Sequence, residues 1–83
     1  MITSYALSHF AWRLNKKLSR LRAEGAQPMK YIYITPAYYS VLCEAAGAEI
    51  YEFRGLRIRL MEDLPSPEHI ELAYDDSFED YSL

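Results

Sequence analysis

Apolar residues recur along the first quarter of the chain with helical spacing. Leu7, Ala11, Leu14, Leu18 and Leu21 follow one another at steps of four, three, four and three, and Phe10 widens the stripe they make. The pattern predicts an amphipathic helix reaching about Glu24, capped by Thr3 or Ser4 and stopped by Gly25. Arg13, Lys16, Lys17 and Arg20 share the opposite side at i, i+3, i+4 and i+7. Trp12 lies off the apolar stripe and is read as a flank of the core, with an exposed contact anchor as the alternative. After the connector Ala26-Gln27-Pro28 the period changes. Met29 to Ile34 is nearly all apolar or aromatic and rich in β-formers, which describes a strand buried on both faces. Tyr31 and Tyr33 then fall on one face, and Ile32 and Ile34 on the other.

Thr35-Pro36 punctuates this strand. Threonine suits an N-cap and proline suits the first helical position, where its missing N–H is not needed. Val41, Leu42, Ala45 and Ala46 form the stripe of a short second helix, closed by Gly47 in a left-handed conformation. Glu49 to Met61 predicts a hairpin around Arg54-Gly55. A two-residue loop places Phe53 opposite Leu56, Glu52 opposite Arg57 and Tyr51 opposite Ile58, but forces a positive φ on Arg54. A three-residue loop relieves Arg54 and pairs Ile50 with Ile58. The first register is preferred, because a buried face dictates register when the two signals conflict. Pro65 and Pro67 make the next stretch a connector. His69 to Tyr74 alternates as a last strand, with Ile70, Leu72 and Tyr74 inward.

The order α-β-α-β-β-β predicts an α+β two-layer sandwich, with a four-stranded, mainly antiparallel sheet and two helices on one face. The compact domain spans residues 1–74, and residues 75–83 form an acidic-aromatic tail. With both helices on one side, the opposite sheet face stays partly open. Its tyrosines, with Met29 or Met61, would suit a partner or a second copy of the chain.

Charge adds an asymmetry to this picture. Net charge is −3 over 83 residues. Residues 1–41 carry six cations against Glu24, a balance of +5, whereas residues 42–83 carry three arginines against eleven acids, a balance of −8. From Glu62 onward there are eight acids and no Lys or Arg. One cysteine, Cys43, excludes an internal disulfide and fits a reducing, cytoplasmic setting. No signal peptide and no apolar run of membrane-spanning length is visible.

Chemistry-bearing constellations are sparse. His9 and His69 are the only histidines, and they stand far from each other and from Cys43, so neither a metal set nor a Cys–His nucleophile is indicated. Gly25, Gly47 and Gly55 are isolated, which excludes a phosphate-cradling loop. The pairs Glu62-Asp63 and Asp75-Asp76 lie in connectors, where nothing raises a carboxylate pKa. The expectation is a protein that is no enzyme and uses no cofactor or metal. The run from the Thr35-Pro36 helix through FRGLRIRLMEDLP resembles a sheet-and-helix segment of phage major capsid proteins, but the long arm and large subunit of that family are absent. No residue role follows from it.

The expected function is protein binding. An acidic surface of Glu71, Tyr74, Asp75, Asp76, Phe78, Glu79, Asp80 and Tyr81 would engage a host protein with a basic surface, steered by carboxylates and held by aromatics. This type fits a phage or mobile-element inhibitor, or an adaptor, that blocks a nucleic-acid-handling host protein by imitating phosphates. The second expectation is nucleic-acid binding through Arg13, Lys16, Lys17 and Arg20. A self-assembling, virion-like subunit is the third, and a homodimer fits the half-covered sheet.

Overall fold

A computed structural model describes residues 2–74 of the chain, with side chains from Tyr5 onward. Helix α1 (Ile2–Ala23), strand β1 (Tyr31–Ile34), helix α2 (Pro36–Ala46) and strands β2 (Glu52–Phe53), β3 (Leu56–Leu60) and β4 (Glu71–Ala73) follow in that order. The sheet order is β2-β3-β1-β4. Both helices lie against one face, so the α+β sandwich holds. The sheet is mixed: β1 pairs antiparallel with β4, β2 antiparallel with β3, and β1 parallel with β3. The strand that follows α2 is β2, which runs opposite to β1; the β2-β3 hairpin then reverses the chain once more, so β3 comes back parallel to β1.

Strand β1 is central, as its apolar run requires. Ile32 and Ile34 face the helices and join Phe10, Leu14, Tyr38, Leu42, Leu56 and Ile70 in one core. Phe10 reaches edge-on to Tyr38 at 5.7 Å and to Phe53 at 5.1 Å, tying α1 to α2 and the hairpin. On the other face Tyr31 and Tyr33 stand beside Arg57 and Arg59 in register, with the Arg59 guanidinium 4.9 Å from the Tyr31 ring centre. Tyr33 is fully buried, so this face is not open at its centre. Met29, expected on that face, packs against the core instead.

The local signals at α2 act as the sequence predicts. The Thr35 hydroxyl accepts the Tyr38 N–H at 3.1 Å, Pro36 starts the helix, and Gly47 closes it at φ 76°. Val41 departs from expectation, for it is 48% exposed. The buried side of α2 is the one Tyr38 and Leu42 occupy, and Val41, about 100° round the helix from Leu42, falls outside it. Thr3 and Ser4 lie inside α1 rather than at its cap.

The hairpin adopts the two-residue loop, with Phe53 opposite Leu56 and Glu52 opposite Arg57. Arg54 carries the cost at φ 52°, next to Gly55 at φ 82°. These angles fit the primed turn whose twist matches the strands. At the far edge, β4 is shorter than the alternation suggests. Its last pair is Ala73 with Tyr31, so Tyr74, expected inward, leaves the ladder and is 47% exposed.

Leu14→Asp places an unpaired carboxylate in a fully buried site and costs at least about 3 kcal/mol, much of the stability of a domain this small. Thermal denaturation followed by circular dichroism should show loss of the cooperative transition; a melt within about 3 °C of the parent would contradict this packing. Gly55→Ala meets no atom within 4 Å, so its cost is backbone strain alone. The expected loss is about 1–2 kcal/mol, read as a lower midpoint in urea with an unchanged slope.

Candidate functional site

Helix α1 presents two unlike sides. Phe10 and Leu14 are fully buried and Leu7 and Leu18 pack against the core, which fixes the opposite side toward solvent. That outer side carries Tyr5, His9, Trp12 and Lys16 at i, i+4, i+7 and i+11, positions that line up along a helix. The rings form a column. Tyr5 and His9 lie 5.6 Å apart with planes 12° from parallel, and His9 and Trp12 lie 6.2 Å apart at 14°. Lys16 Nζ sits 4.7 Å from the Trp12 ring centre. Tyr5 is 69% and Trp12 57% exposed. No Asp or Glu occurs anywhere in Ile2–Ala23.

The four cations expected to act together divide. Lys16 and Arg20 are exposed on this outer side. Lys17 is half-buried. Arg13 turns toward α2, where its Nη1 donates to the Tyr38 hydroxyl at 3.1 Å and its guanidinium lies 5.8 Å from the ring centre. Arg13 is therefore a helix–helix tie as well as a charge. Trp12, read from the sequence as a flank of the core, is instead the middle of an exposed surface. Tyr5 and His9 join it there without having been expected to, although their spacing to Trp12 is a signal the sequence carries.

Of the acidic surface, Glu71 and Tyr74 are described. Glu71 Oε1 lies 2.9 Å from His69 Nε2, and Tyr74 is exposed just past β4. Asp75, Asp76, Phe78, Glu79, Asp80 and Tyr81 lie outside the described residues.

The remaining polar groups serve structure. The Thr35 hydroxyl donates to the Pro67 carbonyl at 2.7 Å while it caps α2. The Tyr39 hydroxyl donates to the Ile50 carbonyl at 2.9 Å. Its pKa is pushed up to about 12, first by a hydrogen bond to Cys43 and then by desolvation, so it stays a donor. Cys43 shares a shallow groove with Tyr39, Ser40, Glu44 and Glu49, with neither histidine in the lining. Among the described residues no group of three or more His, Cys, Asp or Glu could hold a metal, and no helix is long and apolar enough to cross a membrane.

Comparison of the chain with protein-family models, curated proteins and solved structures gives no match. The likeness of its second half to capsid segments therefore carries no assignment.

Burial raises the Tyr38 pKa, and Arg13 opposes that only in part. A pKa raised in the folded state means stability that is complete below the ordinary tyrosine value of about 10 and is lost as pH rises through the folded value. Tyr38→Phe should cost about 1 kcal/mol at neutral pH, because the Arg13 hydrogen bond is removed. It should also lose less stability than the parent above about pH 10. Urea denaturation from pH 8 to 11 checks both; parallel curves would show that Tyr38 ionises as freely folded as unfolded.

Proposed function

We propose that this chain is a small non-catalytic binding protein that holds nucleic acid on the outer face of α1. The observation that carries the reading is the make-up of that face: exposed Lys16 and Arg20 beside exposed rings, on a helix of 22 residues without a carboxylate. Cations clustered on a rigid helix suit a phosphate backbone, because each one that meets a phosphate releases condensed counterions. Apart from Glu24, in the turn just past α1 with its N–H bonded to the Arg20 carbonyl, the acids among the described residues belong to other elements. Glu44 is on α2, Glu52 on the hairpin, and Glu62, Asp63, Glu68 and Glu71 precede or enter β4. A bipolar chain can thus offer one clean basic surface.

A second reading keeps the acidic end as a surface for a basic host protein. It is supported by Tyr74, exposed where the chain leaves the sheet edge toward Asp75 and Asp76. The two readings are compatible in one adaptor, since they use opposite charges on separate elements.

Titration with DNA and RNA, single-stranded and duplex, across a salt series should give micromolar binding at low salt that weakens steeply as salt rises. Lys16→Ala with Arg20→Ala should flatten the log–log salt slope by about 1.4–1.8, at about 0.7–0.9 for each phosphate left without its cation. Absence of binding to every nucleic acid at low salt would overturn the reading. A partner pulled from lysate that survives nuclease, and is released when Asp75, Asp76, Glu79 and Asp80 become Asn or Gln, would favour the acidic surface instead.

A further inference from the structure

We infer that the α1 face takes single-stranded rather than duplex nucleic acid, with unpaired bases stacking on the Tyr5–His9–Trp12 column. This rests on the nucleic-acid reading above and adds the class of strand. Cations alone do not discriminate, because both forms present phosphates. Exposed rings do, because only unpaired bases can bring a π-face to an aromatic side chain. The column is already ordered: its planes lie within 14° of parallel at each step, so a base joining it meets rings that need little rearrangement. Lys16 covers the Trp12 ring from an exposed, flexible side chain. A base can displace that ammonium from the ring and leave it beside the adjoining phosphate, so one residue serves the empty and the bound face. Arg20, one turn further on, extends the cationic track.

Other occupants fit less well. An anionic membrane would find only Tyr5 and Trp12 to insert, since Leu7, Leu14 and Leu18 of this helix are turned into the core and leave no broad apolar face. A second copy docking face to face would bring Lys16 and Arg20 toward their own equivalents, with no carboxylate on α1 to neutralise them.

Trp12 is the only tryptophan, so its fluorescence reports this face alone. The full chain is titrated at low salt with a short homothymidine oligonucleotide, a duplex of equal length, inorganic polyphosphate and phosphatidylserine vesicles. The expected result is quenching by the single strand, at concentrations where the duplex and polyphosphate quench little. Trp12→Ala and Tyr5→Ala, followed by anisotropy of a labelled strand, should each weaken single-strand binding about tenfold or more and leave duplex binding within about twofold. Both variants should melt within about 3 °C of the parent, since the rings are exposed. Equal affinity for duplex, or Trp12→Ala binding the single strand like the parent, would overturn the inference while leaving the cationic reading standing. Preferential vesicle binding, or self-association in sedimentation that Trp12→Ala abolishes, would overturn it in favour of those occupants. No binding of any nucleic acid overturns both.

Discussion

The Thr35 hydroxyl sits where three parts of the chain must be set at once. It accepts from Tyr38 N–H to start α2, and it donates to the Pro67 carbonyl to hold the connector that leads to β4. It stands directly after β1, one of the two inner strands of the sheet. Between β1 and its parallel neighbour β3 lie α2 and the reversal of the β2-β3 hairpin. The anchored Pro67 lies in the connector to β4, which pairs antiparallel on the other side of β1. A buried hydroxyl with both donor and acceptor roles satisfied is specific to geometry in a way that apolar packing is not. Valine would fill the same space and could do neither.

Around that point the fold resolves one local conflict in favour of the core. Arg54 would relax in a longer loop, but the longer loop would turn Ile58 and Leu56 out of register with Phe53. The structure keeps Phe53 against Phe10 and accepts φ 52° at Arg54, a strain of about 1–2 kcal/mol. Several apolar side chains moved from core to solvent would cost more than that. The same ordering of magnitudes accounts for the placement of Arg13. Its hydrogen bond to Tyr38 fills a seam between the two helices that an apolar side chain of that length could not satisfy.

The outer face of α1 follows no such structural need. Tyr5 and Trp12 contribute little to the packing of this domain, and they expose large apolar area beside cations. Stacking among themselves and under Lys16 lowers the cost of that exposure without removing it. This distinguishes the surface from the opposite face of the sheet, where Tyr33 is fully buried and Tyr31 half-buried beside Arg57 and Arg59 in register. Aromatic and basic residues occur together in both places, but on α1 the rings of Tyr5 and Trp12 stand more than half exposed.

Taken alone, the sequence determined what depends on neighbours a few residues apart. Leucines at helical steps made α1, Thr35-Pro36 and Gly47 bounded α2, and the alternation around Arg54-Gly55 chose the hairpin register, because caps, turns and periodicity act within a turn or a few paired residues. The cations of α1 were equally legible, since charge is read directly from composition. The tertiary structure decided which side of each element meets another. Tyr5, His9 and Trp12 repeat with the same steps as the leucine stripe, so period could not tell core from surface. Only the docking of Phe10 and Leu14 against β1, α2 and the hairpin turned the aromatic column outward. Val41 and Tyr74 reach solvent for the same kind of reason: α2 docks through the side that carries Tyr38 and Leu42, and β4 stops pairing at Ala73. The parallel pairing of β1 with β3 was likewise settled by residues far apart in the chain, which no local pattern encodes.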